Sequence, residues 1–79
     1  MKSLEEFVAL FAEQFDETEA SVFKAETNFR DLEEWSSLIA LSIIAMVDDE
    51  FDVALVGNDI KDSNTIIDIY NIIKSKVNA

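Results

Sequence analysis

The sequence predicts an all-α fold, a small antiparallel bundle of three main helices and one short helix within a single domain that covers residues 1–79. The chain contains one Gly and no Pro, a balance that suits long helices better than tight hairpins. Apolar residues recur at helical spacing in three stretches, and a Ser or Thr able to cap a helix stands at the start of each. With 49% hydrophobic residues, including six Phe, the chain can bury a core.

The first helix is predicted to begin near Ser3. Ser3 and Glu6 have the spacing of a capping box, and Glu5 adds negative charge to the first turn, where the helix dipole favours it. The apolar residues that follow share one face of the helix: Leu4, Phe7, Val8, Phe11 and Phe15. A stripe at this spacing indicates a face that packs into the core.

Helical periodicity stops between Asp16 and Trp35. A connection of about twenty residues is long for a helical bundle, where about 2–8 residues are usual, so we expect it to be functional or packed down by its own side chains. A short helical turn is expected within residues 18–25, anchored by Val22 and Phe23. We expect three apolar side chains to tie the loop to the bundle: Val22, Phe29 and Leu32. Trp35 is expected to be a partly buried lid at one end of the bundle.

The second helix is predicted to run from Ser36 or Ser37 to Phe51. We expect one stripe of it to point inward: Ala40, Leu41, Ile44, Val47 and Phe51. The opposite face would then carry Ile39, Ser42, Met46 and Asp49. Because a surface helix normally has a polar outer face, apolar residues there suggest a contact surface for a partner. The alternative is that neighbouring loops cover them.

The last third of the chain predicts a turn, a short helix and a long helix. The turn is expected at Gly57 and Asn58, and the short helix at residues 59–63 with Val56 or Ile60 packed inward. The long helix is predicted to start at Asn64 or Thr65, because Thr65 and Asp68 have capping-box spacing. Its apolar stripe and its basic C-terminal residues follow in order: Ile66, Ile69, Tyr70, Ile73, Lys74, Lys76 and Val77.

Composition limits the possible functions. The chain has no Cys and no His, so it lacks a thiolate and the commonest general base, and we expect a protein that is not an enzyme. A formal charge of −11 argues against nucleic acid and anionic membranes and favours partners with basic surfaces. The acids Asp48, Asp49, Glu50 and Asp52 lack the spacing of a calcium loop, so a solvated acidic patch is expected and no metal site; a calcium or magnesium sensor is the least supported alternative. With no signal-peptide pattern and no membrane-length apolar run, we expect a cytoplasmic monomer.

Taken together, four segments resemble the acyl carrier protein family over nearly the whole chain. They are Phe29-Arg30-Asp31-Leu32, Trp35-Ser36-Ser37-Leu38, Asp48-Asp49-Glu50-Phe51 and Asn64-Thr65-Ile66. The resemblance implies a four-helix bundle of acyl-carrier-protein type. In that family, a serine followed by Leu at the start of the second helix carries 4'-phosphopantetheine through a phosphodiester. The serine followed by Leu in this chain is Ser37, so the resemblance implies attachment at Ser37.

The resemblance also implies a function and partners. The protein would hold acyl or aminoacyl groups as thioesters in fatty acid, polyketide or specialised biosynthesis. Its partners would be a phosphopantetheinyl transferase and acyl-loading and acyl-transfer enzymes with basic or apolar docking patches. We expect these partners to contact Leu38, Ile39, Ser42, Met46 and Asp49. Acyl chains would shelter between the helices near Leu41, Ile44 and Ile60.

Two departures from the family pattern keep alternatives open. Ser36 stands where the family has an Asp that serves in capping and in recognition by the transferase, so Ser36 is a second candidate for attachment. The spacing to Leu38 favours Ser37. Ile39 and Ser42 occupy positions where family members often carry acids, which predicts more apolar docking. The alternative function is an unmodified helical module that binds a partner through Ile39, Met46 and the acidic helix end.

Overall fold

The computed structural model describes residues 1–78 and consists of helices joined by ordered connections. The α-helices are α1 (Leu4–Ala12), α2 (Ser37–Phe51), α3 (Gly57–Lys61) and α4 (Ile66–Val77), and two 3₁₀ turns lie at Ala20–Val22 and Phe29–Asp31. Within the described residues there is no strand, only an isolated bridge between Asn28 and Thr65. This confirms the predicted all-α bundle of three main helices and one short helix. None of the helices in residues 1–78 is long and apolar enough to cross a membrane.

Helix α1 begins where its capping pattern predicts. The Glu6 backbone N–H donates to the Ser3 hydroxyl at 3.2 Å, and the Ser3 N–H donates to the Glu6 carboxylate at 3.2 Å. Hydrogen bonding to the Glu6 carboxylate, first by the Ser3 backbone N–H and then by the Ser3 hydroxyl, lowers the pKa of Glu6. Phe7 and Phe11 are fully buried and Phe15 is nearly so, which confirms that this stripe faces the core.

Aromatic rings form much of the core at the loop end of the bundle. The ring centroids of Phe15 and Phe23 are 4.8 Å apart, and those of Phe29 and Trp35 are 4.6 Å apart. The remaining core is mainly aliphatic and comes from the other elements: Ile43, Met46, Val47, Val53, Leu55, Ile60, Ile66, Ile69 and Ile73. Full burial of one such side chain contributes about 1.5–3 kcal/mol to folding.

The long connection between α1 and α2 is anchored by Phe23, Phe29 and Leu32. Phe29 is fully buried, Phe23 is buried and Leu32 is half-buried, whereas Val22 is 45% exposed. The prediction that Val22 ties the loop down is therefore wrong. The 3₁₀ turn ends at Val22 and directs the next side chain, Phe23, inward. The carbonyl of Val22 accepts instead from the Thr27 hydroxyl at 3.1 Å.

Hydrogen bonds between distant segments fasten the same connection to α3 and α4. The N–H of Ile67 donates to the carbonyl of Ala25 at 2.9 Å, at the start of α4. The guanidinium of Arg30 donates to three carbonyl oxygens at the end of α3, those of Ile60 (2.8 Å), Lys61 (2.6 Å) and Ser63 (2.8 Å). These bonds give additional partners to carbonyl oxygens at and just after the C-terminal end of α3, where a helix has few internal partners to offer.

The rotation of α2 about its axis differs from the prediction. Ile43 and Val47 are fully buried and Met46 is 8% exposed, whereas Leu41 is 61% exposed. The inward position predicted for Leu41 and the outward position predicted for Met46 are both wrong. Ile43, which belonged to neither predicted stripe, lies at the centre of the buried face. Apolar residues occupy the helix from Leu38 to Val47 with Ser42 as the only interruption, so no polar side marks its orientation.

Helices α3 and α4 follow the predicted order with shifted boundaries. Helix α3 starts at Gly57, two residues earlier than predicted, with Ile60 buried and Val56 exposed. Thr65 caps α4 and forms the predicted capping box with Asp68. The backbone N–H groups of Asn64 and then Thr65 lower the pKa of Asp68 by bonding its carboxylate. The α4 stripe is buried at Ile66, Ile69 and Ile73 and half-buried at Tyr70, but its last predicted member, Val77, is 44% exposed.

Candidate functional site

The two serines at the start of α2 have different environments. Ser36 is the N-cap in an extended conformation, and its hydroxyl accepts from the N–H of Ile39 at 3.3 Å. Ser37 is the first residue of the helix and is exposed. The hydrogen bonds at this corner of residues 1–78 use the hydroxyl of Ser36 and not that of Ser37. The prediction that Ser36 caps the helix is confirmed, and the Ser37 hydroxyl is accessible from solvent.

The Glu34 carboxylate fixes the segment before these serines. It accepts from the N–H of Asp16 at 2.7 Å, the N–H of Glu17 at 3.0 Å and the hydroxyl of Thr18 at 2.8 Å. Partial burial alone would raise the pKa of Glu34, but the hydrogen bonds from Thr18, Asp16 and Glu17 outweigh it and lower the pKa below the usual glutamate value. The contact joins residues 16–18 positions apart, so no local pattern in the sequence indicates it.

Trp35 closes the end of the bundle beside Ser36. Its ring centroid lies 4.6 Å from that of Phe29 and 6.4 Å from that of Phe15. The side chain is half-buried, which confirms the predicted lid. Glu34 and Trp35 together hold the chain that leads into α2 against the rest of the bundle.

An open groove of about 380 Å³ lies on the Ser37 flank of α2, which we call the α2–α3 groove. The residues that line it come from the loop, α2 and α3: Arg30, Trp35, Ser36, Ser37, Ala40, Leu41, Ile44, Gly57, Ile60 and Lys61. The groove brings Ser37 together with Leu41, Ile44 and Ile60, the three residues predicted to shelter an acyl chain. Sequence reasoning missed its two cations, Arg30 and Lys61.

A second open groove of about 670 Å³ lies between α1 and α2 on the other flank, which we call the α1–α2 groove. Its lining residues are Leu10, Glu13, Gln14, Ser42, Ala45, Met46, Asp49 and Glu50. Three of the predicted docking residues meet here, with Ser42 and Asp49 exposed and Met46 buried.

The predicted docking residues therefore do not share one face. Leu38 is 75% exposed and lines neither groove. Ile39 is half-buried against the core. The docking set is divided between the α1–α2 groove and the start of α2.

The two grooves have opposite charge. The α1–α2 groove carries Glu13, Asp49 and Glu50 and no basic residue, whereas the α2–α3 groove carries Arg30 and Lys61 and no acidic residue. In residues 1–78 no group of three or more carboxylates is arranged to hold a metal ion. The acidic groove is therefore a charged surface with three separate carboxylates.

Comparison with known proteins gives no match for this chain to a protein-family model, a curated protein or a solved structure.

Proposed function

We propose that this protein is an acyl carrier protein with the four-helix fold of that family. It would act as a cytoplasmic monomer that holds acyl or aminoacyl groups on a 4'-phosphopantetheine arm at Ser37 and delivers them to partner enzymes. The observation that carries the proposal is the division of roles between two neighbouring serines. Ser36 is occupied as the cap of α2, and Ser37 presents a free hydroxyl at the first residue of a 15-residue helix.

The surroundings of Ser37 fit the attachment of such an arm. Its oxygen would form a phosphodiester with the pantetheine-bound phosphate of coenzyme A, while the bond from that phosphate to the nucleotide breaks and the hydroxyl proton passes to a base of the transferase. The N-terminus of α2 favours the negative charge that results. The α2–α3 groove begins beside Ser37 and offers an apolar surface to whatever the arm carries.

The arm supplies the chemistry that the chain lacks, because its thiol forms the thioester. A chain without Cys or His can therefore serve as a carrier. The tasks left to the protein are to present Ser37, to shelter the cargo and to be recognised by other proteins.

Exposed leucines next to Ser37 favour docking of the enzymes that act on the arm. Leu38 follows Ser37 directly, and Leu41 lies one helical turn further on; both are exposed. A transferase or acyl-transfer enzyme that covers Ser37 would bury both side chains, and exposed apolar groups beside a reactive position are typical of such contacts. The acids of the α1–α2 groove suit partners with basic patches.

Intact-mass measurement tests the proposed attachment directly. Incubation with coenzyme A, magnesium and a broad-specificity phosphopantetheinyl transferase should add the mass of one phosphopantetheine group. Ser37→Ala should abolish the gain, whereas the control Ser36→Asp, which keeps a capping oxygen, should retain it. The absence of a gain in the natural chain contradicts the proposal. A gain that survives Ser37→Ala and disappears in Ser36→Ala moves the site to Ser36.

A second candidate function is an unmodified interaction module. It is favoured by Ser36 in the place of the family Asp and by the α1–α2 groove, which does not include Ser37. Under this function, proteins retained from the native host by the natural chain should also be retained by Ser37→Ala and lost with Asp49→Lys. Under the carrier function, Ser37→Ala should lose the enzymes that act on the arm.

A further inference from the structure

The α2–α3 groove is unusual for its charge. The chain has six basic residues against seventeen acidic ones, yet Arg30 and Lys61 both line this groove and no acid does. We propose that the groove receives an acyl group with a carboxylate at its far end, a dicarboxylic acid joined to the arm through one of its two carboxyls, in preference to a plain hydrocarbon chain. This inference rests on the proposed carrier function and specifies its cargo.

Arg30 is held at the groove by its own hydrogen bonds. Its Nε donates to the carbonyl of Ser63, and its Nη2 donates to the carbonyls of Ile60 and Lys61. These bonds join the loop to the end of α3 and fix the position of the guanidinium. Nη1 is not among the donors used in these bonds, so the guanidinium, which lines the groove, keeps N–H groups for a further acceptor.

Lys61 provides a second cation. It is the last residue of α3 and is exposed. The ion pairs found among residues 1–78 are Lys2 with Glu50 and Lys76 with Asp59, so neither Lys61 nor Arg30 is paired with a carboxylate there. In so acidic a chain, a cation without such a neighbour can pair with an anion brought from outside.

The rest of the groove suits the middle of such a cargo. Ala40, Leu41, Ile44 and Ile60 offer apolar contact to methylene groups. A terminal carboxylate would be repelled by most of the protein surface, because the formal net charge is −11. The cationic side of this groove is therefore the favourable place for the charged end.

The test compares two cargoes of equal length. The protein is converted to its phosphopantetheine form, checked by intact mass, and loaded with a hexanoyl group or with an adipoyl group, which has the same six carbons and a terminal carboxylate. Cleavage of each thioester by hydroxylamine is measured at low ionic strength and divided by the rate for the same thioester on free pantetheine. The adipoyl form should be protected about two- to fivefold more than the hexanoyl form, the range expected for an exposed ion pair.

Matched variants identify the groups responsible. Lys61→Gln should bring the ratio of adipoyl protection to hexanoyl protection close to one. Lys74→Gln, the same change at an exposed position on α4, should leave this ratio unchanged. Lys61 is chosen because Arg30→Gln would also release the loop. Amide chemical shifts give a second measurement, and the Lys61 amide should move with adipoyl loading and not with hexanoyl loading.

Each remaining outcome overturns the inference in a distinguishable way. A chain that gains no mass removes the carrier function and the cargo together. A chain that is modified at Ser37 but protects both cargoes equally removes only the carboxylate preference. If attachment of the unloaded arm shifts the Lys61 amide and adipoyl loading adds nothing, the cations pair with the phosphodiester and the inference is wrong.

Discussion

The two flanks of α2 differ in charge although they belong to the same helix. The α1–α2 groove has three acids and no base, whereas the α2–α3 groove has two bases, no acid and the exposed Ser37. Asp49 lies twelve residues after Ser37, roughly 18 Å along the helix axis. Under the proposed carrier function, attachment and cargo would belong to one flank, and a basic partner could bind the other flank without covering Ser37.

The largest effect should come from removing the aromatic support of the Ser37 flank. Phe29 is fully buried and lies under Trp35, which lines the α2–α3 groove. Phe29→Ala should reduce the free energy of unfolding by about 3–5 kcal/mol, a large share of the total for a small domain. Urea denaturation followed by Trp35 fluorescence measures this loss. Val22→Ala, at an exposed position of the same connection, is the control and should change stability by less than about 0.5 kcal/mol.

The second prediction compares how the two flanks of α2 affect the rate of phosphopantetheine transfer. Leu41→Asn should slow phosphopantetheine transfer to Ser37 about tenfold, because loss of one apolar contact next to the reactive hydroxyl costs roughly 1.4 kcal/mol of binding. Asp49→Asn, on the other flank, should change the rate less than about twofold. Rates are measured by intact mass at limiting transferase. Equal slowing by both variants would show that the transferase covers both flanks.

The third prediction compares the contributions of Ser36 and Ser37 to the free energy of unfolding. Ser36→Ala removes the oxygen that accepts from Ile39 N–H and should lower the free energy of unfolding by about 1 kcal/mol. Ser36→Asp keeps an acceptor and places a negative charge at the helix start, so it should restore or exceed the natural stability. Ser37→Ala should have little effect. A larger loss with Ser37→Ala than with Ser36→Ala would contradict the cap assignment.

The smallest effect concerns the carboxylate that holds the segment before α2. The pKa of Glu34 is lowered in the folded protein, so its ionised form contributes stability above the unfolded value of 4.5, and this contribution is lost as pH falls through the folded pKa. Glu34→Gln should therefore weaken the dependence of the free energy of unfolding on pH at acidic pH. Its effect should be smaller at pH values below the range in which the Glu34 contribution is lost. Urea midpoints between neutral and acidic pH measure this, with the exposed neighbour variant Glu33→Gln as the control. Parallel profiles for both variants would show that Glu34 is not the responsible group.

The helix starts could be predicted because their signals are local. Ser3 with Glu6 and Thr65 with Asp68 are three residues apart, and each pair forms the expected reciprocal bonds. The rotation of α2 about its axis could not be predicted from such local signals. Nine of the ten residues from Leu38 to Val47 are apolar and leave no polar side, so Leu41 and Met46 were assigned to the wrong faces.

Contacts between distant segments also could not be predicted from the sequence. Arg30 bonds to carbonyls 30–33 positions away, and Glu34 bonds to groups 16–18 positions away. No sequence pattern next to Arg30 or Glu34 indicates these partners. Most of their partners are backbone groups. Every residue has a backbone carbonyl, and every residue except Pro has a backbone N–H, so residue type does not indicate the pairing.

The sequence alone was enough to predict the helical class, the order of the helices and the capped starts of the three main helices. These features depend on apolar spacing along each helix and on capping residues at its start. The choice of Ser37 as the candidate serine depends instead on the resemblance of its segment to the acyl carrier protein family. Only the packing of the helices shows which face of α2 is buried and that its flanks carry opposite charge. The physical reason is that a groove takes its character from several elements at once. Glu13, at the C-cap of α1, lines one groove with Asp49 of α2, and Arg30 of the loop lines the other groove with Lys61 of α3.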